Sequence, residues 1–213
     1  MSARPHTALP LDRPAATGRR HARMPTSWSG AGVVPGSALG GADALVVLEG
    51  VVAVSMVLPS GRTIGVALLG PAEIWSAREG EGGLESFRIE ALCPSRLRGM
   101  ALDTLLQVAS APEVATALIR ALLRRAGNAE RRYAALTTLP VEERVLSLLY
   151  HLAALRGVPC PRGVRIQLDL SQDRVASLTG TTRESVNRAL RTLQRRGVVR
   201  RDGLRYEVAG GGS

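Results

Sequence analysis

The 213-residue sequence is long enough for one large domain or two small ones, each with its own hydrophobic core. Its hydrophobic fraction of 45% is ordinary for a globular protein, and no run of about 18 uncharged apolar residues is present, which excludes a predicted membrane span. The formal net charge is +10, and every basic residue is an arginine.

The charge is unevenly distributed along the chain. Residues 1–23 contain five arginines and one aspartate, and residues 24–136 contain ten arginines and ten acidic residues. Residues 137–213 contain thirteen arginines and seven acidic residues. This pattern indicates a neutral module joined to a basic module that meets an anionic partner.

The sequence has no pattern typical of an enzyme or a metalloprotein. It lacks a His/Cys/Asp cluster, a phosphate-binding glycine loop and a nucleophile motif. Its two cysteines, Cys93 and Cys160, are far apart, which is typical of a reducing compartment and too few for an iron–sulfur centre. The N-terminus has no apolar segment of a secretory signal. We therefore expect a cytoplasmic protein that is not an enzyme and carries no cofactor or metal.

Residues 1–32 are predicted to be a disordered basic tail. They are rich in Ala, Arg, Pro, Gly and Thr, show no apolar periodicity, and bury too little surface to offset the entropy of ordering. The tail could be a basic arm that follows DNA phosphates, a dispensable extension, or a segment upstream of a true start at Met24. We favour the last two interpretations.

Residues 44–69 are predicted to form three short strands. The stretch LVVLEGVVAVSMVLPSGRTIGVALLGP contains three β-branched runs, separated by turn residues at Glu49-Gly50, Pro59-Ser60-Gly61 and Gly70-Pro71. A further strand is predicted from Phe87 to Leu92. Short strands at this close spacing indicate a small antiparallel roll or barrel.

A long helix is predicted to begin near Pro112, a residue suited to the first helical turn. Apolar side chains recur along it in alternating steps of four and three residues, the heptad pattern of a helix that pairs with another helix. A second stripe from Val114 through Leu118 to Ala121 could face the roll, which leaves the heptad stripe for a partner chain. A single buried helix is the alternative. The heptad stripe consists of Ala115, Ile119, Leu122, Ala126, Ala129, Tyr133 and Leu136.

The C-terminal part is predicted to combine helices and short strands. A helix runs from Val141 to Leu155, and alternating apolar residues indicate a strand from Arg162 to Leu170. Two further strands, at Val198–Val199 and Leu204–Val208, are joined through Asp202-Gly203, a strong hairpin signal.

Two short helices between these β segments form a predicted helix-turn-helix. The first begins after Ser171, a good N-cap, and Gly180 supplies the turn. The second begins at Thr181, where Thr181-x-x-Glu184 has the form of a capping box. With the flanking strand and hairpin, these helices make a winged helix-turn-helix. The inner face of the second helix consists of Val186, Ala189, Leu190 and Leu193.

The opposite face of the second helix is basic. A helix in the major groove presents its first turns to base edges, where arginine can bind guanine and glutamate can accept from cytosine. The alternative is a solvated surface, which usually mixes both signs at i,i+4 spacing, as Glu184 and Arg188 do. A second basic patch leads into the wing and suits phosphate contacts. The outward residues are Arg183, Glu184, Asn187, Arg188 and Arg191, and the patch consists of Arg195, Arg196, Arg200 and Arg201.

The stretch SQDRVASLTGTTRESVNRALRTLQRRGVV closely resembles the DNA-binding motif of the cyclic-AMP-receptor/FNR family of bacterial transcription regulators. More loosely, LVVLEGVVAVSMVLPSGRTIGVALLGPAEIW is similar to that family's β-roll, and residues 112–136 fall where its dimer helix lies. In cyclic-AMP receptor proteins an Arg-Glu-x-x-x-Arg set reads a TGTGA-type half-site, and Arg183, Glu184 and Arg188 match this set. The resemblance implies that the two arginines bind guanines and that Glu184 binds a cytosine. It also implies phosphate or nearby contacts from Ser171, Thr182 and Ser185.

The resemblance fails at the family's cyclic-nucleotide pocket, which needs a Gly-Glu pair for the ribose and an Arg-Ser pair for the cyclic phosphate. In the matching stretch EIWSAREGEGGLESFRIEAL, Ser76-Ala77 aligns with Gly-Glu and Glu85-Ser86 aligns with Arg-Ser. Glu85 beside a phosphate would replace attraction by repulsion. Arg78 and Arg88 lie nearby, but no alignment restores the full set. We expect that cyclic AMP is not bound in the usual way.

Haem, another effector in this family, has little support in the sequence. His6 and His21 lie in the predicted tail, and His151 lies in a helix near the predicted DNA-binding domain. Cys93-Pro94 and Cys160-Pro161 are dipeptides of weak haem-binding motifs, but each cysteine is better explained as a small buried hydrophobe. The roll is then either a structural remnant, which we favour, or the site of an unrecognised ligand.

The sequence thus predicts an α+β protein with an N-terminal β-roll, a long dimerisation helix and a C-terminal winged helix-turn-helix. We expect a homodimeric, sequence-specific regulator that binds a palindromic site in double-stranded DNA and activates transcription by contact with RNA polymerase. A ligand-gated sensor with a non-nucleotide effector or haem is the main alternative, and a sequence-indifferent DNA-packaging protein is another. The predicted parts are a tail (1–32), the roll (33–111), the dimerisation helix (112–138), the DNA-binding domain (139–209) and a flexible end (210–213).

Overall fold

The computed structural model describes residues 26–35, 42–58, 61, 63–76 and 87–209. These residues form the α+β fold predicted from the sequence: a curled antiparallel sheet, a long helix, and a helix-turn-helix flanked by a second small sheet. None of the helices within these ranges is long and apolar enough to cross a lipid bilayer. The predicted flexible end and residues 1–25 of the predicted tail lie outside the described residues.

The first sheet contains β1 (Thr26–Val33), β2 (Ala44–Glu49), β3 (Val52–Val57), β4 (Thr63–Leu69), β5 (Ile74–Ser76) and β6 (Phe87–Met100). The strands pair antiparallel in the order β4-β3-β6-β2-β5, and β1 pairs with β6. The three runs predicted between residues 44 and 69 are confirmed as β2, β3 and β4. They form strands because their β-branched side chains pack into a common core, in which Val47, Val52 and Val54 are fully buried.

The longest strand, β6, joins the two halves of this sheet. Its first residues pair with β3 and its last residues pair with β2. The partner of β6 changes from β3 to β2 between Ala91 and Arg96. This segment contains Pro94, which has no N–H to donate to a neighbouring strand. Gly50 lies against Ser95 with φ 90°, and a Cβ at Gly50 would lie 2.0 Å from Ser95 Oγ. The turn between β2 and β3 therefore requires glycine at position 50.

Two helices, α1 (Leu102–Val108) and α2 (Pro112–Thr138), follow the sheet. Pro112 lies in the first turn of α2, as predicted. Ala121 is buried against Ala44 of β2, and Leu118 packs on the same cluster. The second stripe of α2 therefore faces the sheet at these two positions, whereas Val114 is exposed.

The C-terminal part contains α3 (Val141–Arg156), β7 (Gly157–Cys160), β8 (Gly163–Ile166), α4 (Gln172–Thr179), α5 (Arg183–Arg195), β9 (Val199–Asp202) and β10 (Arg205–Ala209). The four strands form a second sheet in the order β7-β8-β10-β9. The predicted hairpin is confirmed, because Asp202 pairs with Arg205 across a turn in which Gly203 has φ 56°. Tyr206 of β10 is fully buried beneath the helices.

The helix-turn-helix packs against the first sheet of the same chain. Its core cluster includes Val51 and Leu68 from the sheet together with Val175 and Leu178 from α4. Polar contacts add to this packing: Arg174 of α4 forms an ion pair with Glu90 of β6, and Ser177 Oγ donates to the Thr63 carbonyl at 3.3 Å. The first helix of the motif is therefore fixed to the roll on its apolar side.

The prediction of disorder up to residue 32 is wrong for residues 26–32, because these residues belong to β1. Thr26 to Gly30 pair with Gly99 to Ser95, and Gly32 and Val33 pair with Ala91 and Glu90. Backbone hydrogen bonds to a distant strand order a segment that has few apolar side chains of its own. The amino-acid composition of residues 26–32 therefore wrongly predicted disorder for this segment.

Two strand predictions have wrong boundaries. The strand predicted to end at Leu92 continues to Met100, because a new partner strand takes up its hydrogen bonds beyond Pro94. The strand predicted to reach Leu170 ends at Ile166, although the alternating Leu168 and Leu170 are buried as expected. The unpredicted strand β7, which contains Pro159, pairs with β8 as a hairpin.

Candidate nucleic-acid interface

The first helix of the motif has the termini that the sequence predicts. Ser171 is the N-cap of α4, and its Oγ accepts a hydrogen bond from the Arg174 amide at 3.2 Å. Gly180 ends the helix in the left-handed conformation, with φ 62° and ψ 36°. A Cβ at Gly180 would lie 3.2 Å from Leu136 Cδ2, so this turn passes close to α2.

The second helix begins one residue later than predicted. Thr182, not Thr181, is the N-cap of α5: its φ and ψ are −95° and 157°, and its Oγ1 accepts from the Ser185 amide at 3.3 Å. The Thr181 amide instead donates to the Ala176 carbonyl at 3.0 Å, which places Thr181 in the turn. The predicted capping box from Thr181 to Glu184 is therefore wrong.

Helix α5 has a buried face and an exposed basic face. Val186 and Leu193 are completely buried, and Ala189 and Leu190 are nearly so, which confirms the predicted inner stripe. At about 100° per residue, the residues opposite this stripe fall within about 60° of one another. These exposed residues are Glu184, Arg188, Arg191 and Arg195.

The predicted base-reading residues all lie in the N-terminal half of α5, but only Glu184 and Arg188 share its outer face, and Arg183 lies about 100° around the helix from Glu184. Arg183 is the first residue of the helix and lies 3.5 Å from the Asp173 carboxylate, with 62% of its side chain exposed. Glu184 is exposed, and its pKa is lowered by hydrogen bonds from its own amide and the Thr182 hydroxyl. It is therefore a charged acceptor at neutral pH. Arg188 and Arg191 line a shallow surface depression farther along the helix, with Arg195.

The remaining predicted contacts lie in three different settings. Ser171 and Thr182 are N-caps whose hydroxyl oxygens accept from backbone amides, and Ser185 lies in the first turn of α5, where its Oγ accepts from the Thr182 hydroxyl at 3.1 Å. Asn187 is half-buried at the edge of the basic face. Arg196 lies at the C-cap of α5 and forms an ion pair at 2.5 Å with Glu142 of α3, so its side chain turns away from the exposed face.

Arg200 and Arg201 lie on the wing. Both line a depression formed by β8, β9 and β10, and Arg201 Nε donates to the Gly203 carbonyl at 2.8 Å. Sequence reasoning missed two further arginines that line the same depression, Arg165 and Arg205. Their alternation with apolar residues in β8 and β10 is the signal that could have identified them. Each is paired, Arg165 with Glu207 at 2.7 Å and Arg205 with Asp169 at 3.2 Å.

Most of the predicted dimer seam is exposed along α2. Ile119 is 57% exposed and Tyr133 is 72% exposed, and Ala126 and Ala129 lie between them. Leu122 belongs to the same stripe and is 48% exposed. Leu136 differs from the others, because it is partly buried beside Gly180 of the same chain.

The stretch aligned with the cyclic-nucleotide pocket is mostly outside the described residues. Ser76 is the last residue of β5, and Arg88 is exposed on β6, whereas residues 77–86 are not described. Within the described ranges, no group of three or more His, Cys, Asp and Glu side chains could hold a metal ion. Cys93 is buried and Cys160 is half-buried, and neither forms a disulfide.

Comparisons with known proteins relate the chain to a group of bacterial regulators. Residues 143–209 match the Crp-like helix-turn-helix domain. A CRP-like cAMP-activated global transcriptional regulator of Mycobacterium tuberculosis is 29% identical over 160 residues, which cover 74% of this chain and 71% of that protein. The global nitrogen regulator of a Nostoc species is 29% identical over 156 residues, covering 71% of this chain and 70% of that protein.

Solved structures share the fold over most of the chain. The c-di-GMP responsive global regulator CLP of Xanthomonas campestris superimposes with a TM-score of 0.67 at 20% identity, covering 87% of this chain and 93% of that one. A CRP-family transcriptional regulator of Thermus thermophilus superimposes with a TM-score of 0.68 at 22% identity, covering 86% of this chain and 91% of that one. The chain therefore contains a Crp-like helix-turn-helix domain, and its sequence and fold are similar to those of DNA-binding transcription regulators of the Crp/Fnr family.

Proposed function

We propose that this regulator is a homodimer that reads a palindromic TGTGA-like duplex site with the outer face of α5. It does so without cyclic AMP and activates transcription by contact with RNA polymerase. The observation that carries the proposal is the exposed row of Arg188, Arg191 and Arg195 opposite the buried stripe of α5. A rigid helix with one apolar and one basic face can enter the major groove while its domain stays folded.

Base reading is supported by the chemistry of the first turns of α5. Arg183 and Arg188 each offer the paired N–H groups that match guanine O6 and N7, and the ionised Glu184 can accept from cytosine N4. Arg183 pairs with the exposed carboxylate of Asp173, which is a weak contact. It can therefore exchange this partner for a base at small cost.

Phosphate contacts are supported at the C-terminal end of this row and beyond it. Arg195 lies at the far end of the outer face, and Arg200 and Arg201 extend the positive surface onto the wing. Such contacts hold the helix in register on the duplex without reading its sequence. Arg196 is left out of this set, because Glu142 already holds its guanidinium.

A dimer is supported by the exposed apolar stripe of α2. Ile119, Leu122 and Tyr133 expose about half or more of their surface in the single chain, although they lie on a helix of 27 residues. A second copy of α2 would cover the same stripe in an isologous contact. The two α5 helices would then enter successive major grooves about 34 Å apart.

Independence from cyclic AMP is supported by the sequence of the aligned pocket. The M. tuberculosis relative is named as cAMP-activated. This chain has Ala77 and Glu85 at positions that align with a ribose-binding glutamate and a phosphate-binding arginine. A carboxylate in place of that arginine repels the cyclic phosphate. We propose that the protein activates transcription and does not repress it, on the ground of its resemblance to the family alone.

Selection of binding sites from a random duplex pool, with and without cyclic AMP, tests this proposal. We expect an inverted TGTGA-like repeat to be enriched equally in both arms. If no sequence is enriched, the protein binds DNA without regard to sequence and base reading is refuted. If enrichment requires cyclic AMP, the claim of independence is refuted. Transcription by bacterial RNA polymerase from a promoter that carries the selected site should rise when the protein is added; a fall would indicate repression.

A ligand-gated regulator with a non-nucleotide effector is the second candidate function. It is favoured by a cavity of about 470 Å³ between the roll, α2 and the helix-turn-helix. A volume of this size is within the range of about 300–1,000 Å³ that small-molecule sites usually have. Titration of the purified protein with candidate ligands separates this function from constitutive DNA binding.

A further inference from the structure

The backbone of β4 meets the backbone of α4 directly at Gly65. A Cβ at this position would lie 3.0 Å from Leu178 Cα and 2.9 Å from Leu178 Cδ2. Carbon atoms in ordinary contact are about 3.5–4.0 Å apart, so a larger residue at position 65 would push the helix away from the strand. Glycine therefore allows the first helix of the DNA-binding motif to lie directly against the roll.

The side chain of Arg132 enters this contact from α2. Its Nε donates to the Gly65 carbonyl at 2.9 Å, and its Nη2 donates to the same oxygen at 2.6 Å and also to the Leu178 carbonyl. One guanidinium group therefore connects three elements, β4, α2 and α4. Gly65, Arg132 and Leu178 together form what we call the junction.

The charge of Arg132 matches its acceptor on α4. The Leu178 carbonyl lies in the last turn of α4, which ends at Thr179. Carbonyl groups of the last turn have no partner within the helix and carry the negative end of its dipole, so a guanidinium is a favourable donor there. Burial lowers the pKa of Arg132, but an arginine side chain stays protonated in a protein at neutral pH. The junction therefore contains charge-assisted hydrogen bonds shielded from water, which are stronger than surface contacts.

Arg132 belongs to a row of polar side chains on the roll-facing side of α2. Arg125 lies over the Trp75 ring, 3.9 Å from its centroid, and Asn128 Nδ2 donates to Glu73 Oε1 at 3.4 Å. Positions 125, 128 and 132 follow the i, i+3, i+7 spacing of one helical face. This face anchors α2 to the roll over two turns, and Arg132 extends the same anchor to the DNA-binding motif.

The position of Arg132 on α2 connects the motif to the proposed dimer seam. Ala129 and Tyr133, which belong to the seam, lie three residues before Arg132 and one residue after it. A seam of paired α2 helices would fix one protomer relative to its partner. The separation of the two α5 helices then depends on how rigidly each motif is held to its own α2.

We propose that Arg132 is a positioning residue that holds the helix-turn-helix in one orientation relative to α2, and thereby sets the separation of the two α5 helices in the dimer. Arg132 acts through α4 and contacts no base or phosphate itself. Two helices held in position bring the second half-site within reach once the first is bound, so affinity rises without a new contact. The orientation of the motif is a property of the single chain, whereas its effect on DNA rests on the proposed function.

Replacing Arg132 with Met tests this role, because the change removes the donors and keeps an unbranched side chain. We expect affinity of Arg132→Met for a duplex with two inverted half-sites to fall about tenfold or more, while affinity for a single half-site stays within about twofold. Its preference among half-site separations should also become weaker. Fluorescence anisotropy measures these affinities. Equal losses on both duplexes, or no loss on the inverted pair, would overturn the proposal.

Two control variants separate the junction from a general loss of stability. Arg124→Met, at an exposed position of the same helix, should leave both affinities unchanged. Gly65→Ala should reproduce the selective loss, because its methyl group would push α4 away without removing a charge. Gly127→Ala is the matched control for it, since a Cβ there would lie 3.8 Å from the Arg131 guanidinium, an ordinary contact distance. Wild-type affinities in Gly65→Ala would show that the contact between β4 and α4 does not position α5, and would refute the proposal.

Hydrogen exchange tests the junction without DNA. Amide exchange in residues 172–179 should be at least about tenfold faster in Arg132→Met than in the wild type, because the bond to the Leu178 carbonyl opposes local opening of α4. Exchange in Arg124→Met should match the wild type. Equal exchange in all three proteins would show that Arg132 does not hold α4. If exchange responds as expected while the wild type binds an inverted pair no more tightly than a single half-site, the proposed function fails and the positioning of α4 by Arg132 stands.

Discussion

Arg183, the first residue of α5, lies 3.5 Å from the carboxylate of Asp173 in the first turn of α4. Both side chains are mostly exposed, so the ion pair contributes at most about 1 kcal/mol to stability. The pair links the two helices of the motif on the side where DNA is proposed to lie. In the proposed complex, Asp173 would compete with DNA for the guanidinium that is expected to bind a guanine.

Replacing Asp173 with Asn should strengthen DNA binding. The change frees Arg183 and removes a negative charge that would face the phosphates, so we expect affinity for the selected duplex to rise about two- to fivefold at low salt. Asp103→Asn, on exposed α1, is the matched control and should have no effect. Fluorescence anisotropy with labelled duplex measures both. A loss of affinity in Asp173→Asn would show that Arg183 needs this carboxylate to be held in position.

Replacing Arg188 with Gln should reduce the sequence specificity of DNA binding. We expect binding to the selected site to weaken by about 1–3 kcal/mol, with relaxed preference at one base position, because a bidentate contact to guanine is lost. Arg200→Gln on the wing is the control for a phosphate contact. It should weaken binding to all duplexes alike and reduce the salt slope by about one. A loss of equal size on selected and scrambled duplexes in Arg188→Gln would contradict the base-reading role.

Replacing Thr182 with Ala should destabilise the helix-turn-helix. Thr182 Oγ1 accepts from the Ser185 amide, and loss of an N-cap costs about 1 kcal/mol. Thr181→Ala should have a much smaller effect, because Thr181 lies in the turn and does not cap α5. Urea unfolding without DNA measures both changes in the free energy of unfolding. A larger loss for Thr181→Ala would restore the capping box that the sequence suggested.

If the proposed dimer forms through α2, replacing Leu122 with Asp should convert it into a monomer. In a two-fold contact each new carboxylate would be buried close to its symmetry mate, and both charges would lose water without gaining a partner. Leu106→Asp is a matched control, since Leu106 is 63% exposed on α1 outside the seam. Sedimentation equilibrium measures the mass of each variant. A Leu122→Asp protein that remains dimeric would show that another surface joins the chains.

The sequence was most informative where one short-range pattern determined the structure. The β-branched runs between residues 44 and 69, and the i, i+3, i+4, i+7 stripe from Val186 to Leu193, each predicted an element and its buried face. Pro112 and Gly180 likewise marked a helix start and a helix end by their own backbone preferences. These features need no knowledge of distant residues.

Features set by distant partners were not predictable in the same way. The strand β1 is ordered by β6, which lies more than 50 residues away, and Arg132 reaches carbonyl groups 67 and 46 residues away in the chain. The cavity lined by Arg131 and Arg144 exists only because the helix-turn-helix docks on the roll. No local period or turn signal encodes such a contact. Likewise, the N-cap of α5 is Thr182 and not Thr181, because the Thr181 amide donates to the Ala176 carbonyl of α4. The sequence pattern at Thr181 does not show this contact.

The central claim is that two copies of α5, related by a two-fold axis, read bases in successive major grooves. Affinities for duplexes carrying two inverted half-sites, with their centre-to-centre separation varied in steps of one base pair, test this claim most directly. We expect the tightest binding near about 10–10.5 base pairs and weaker binding to direct repeats at every separation. Equal affinity at all separations, or equal affinity for a single half-site, would contradict it.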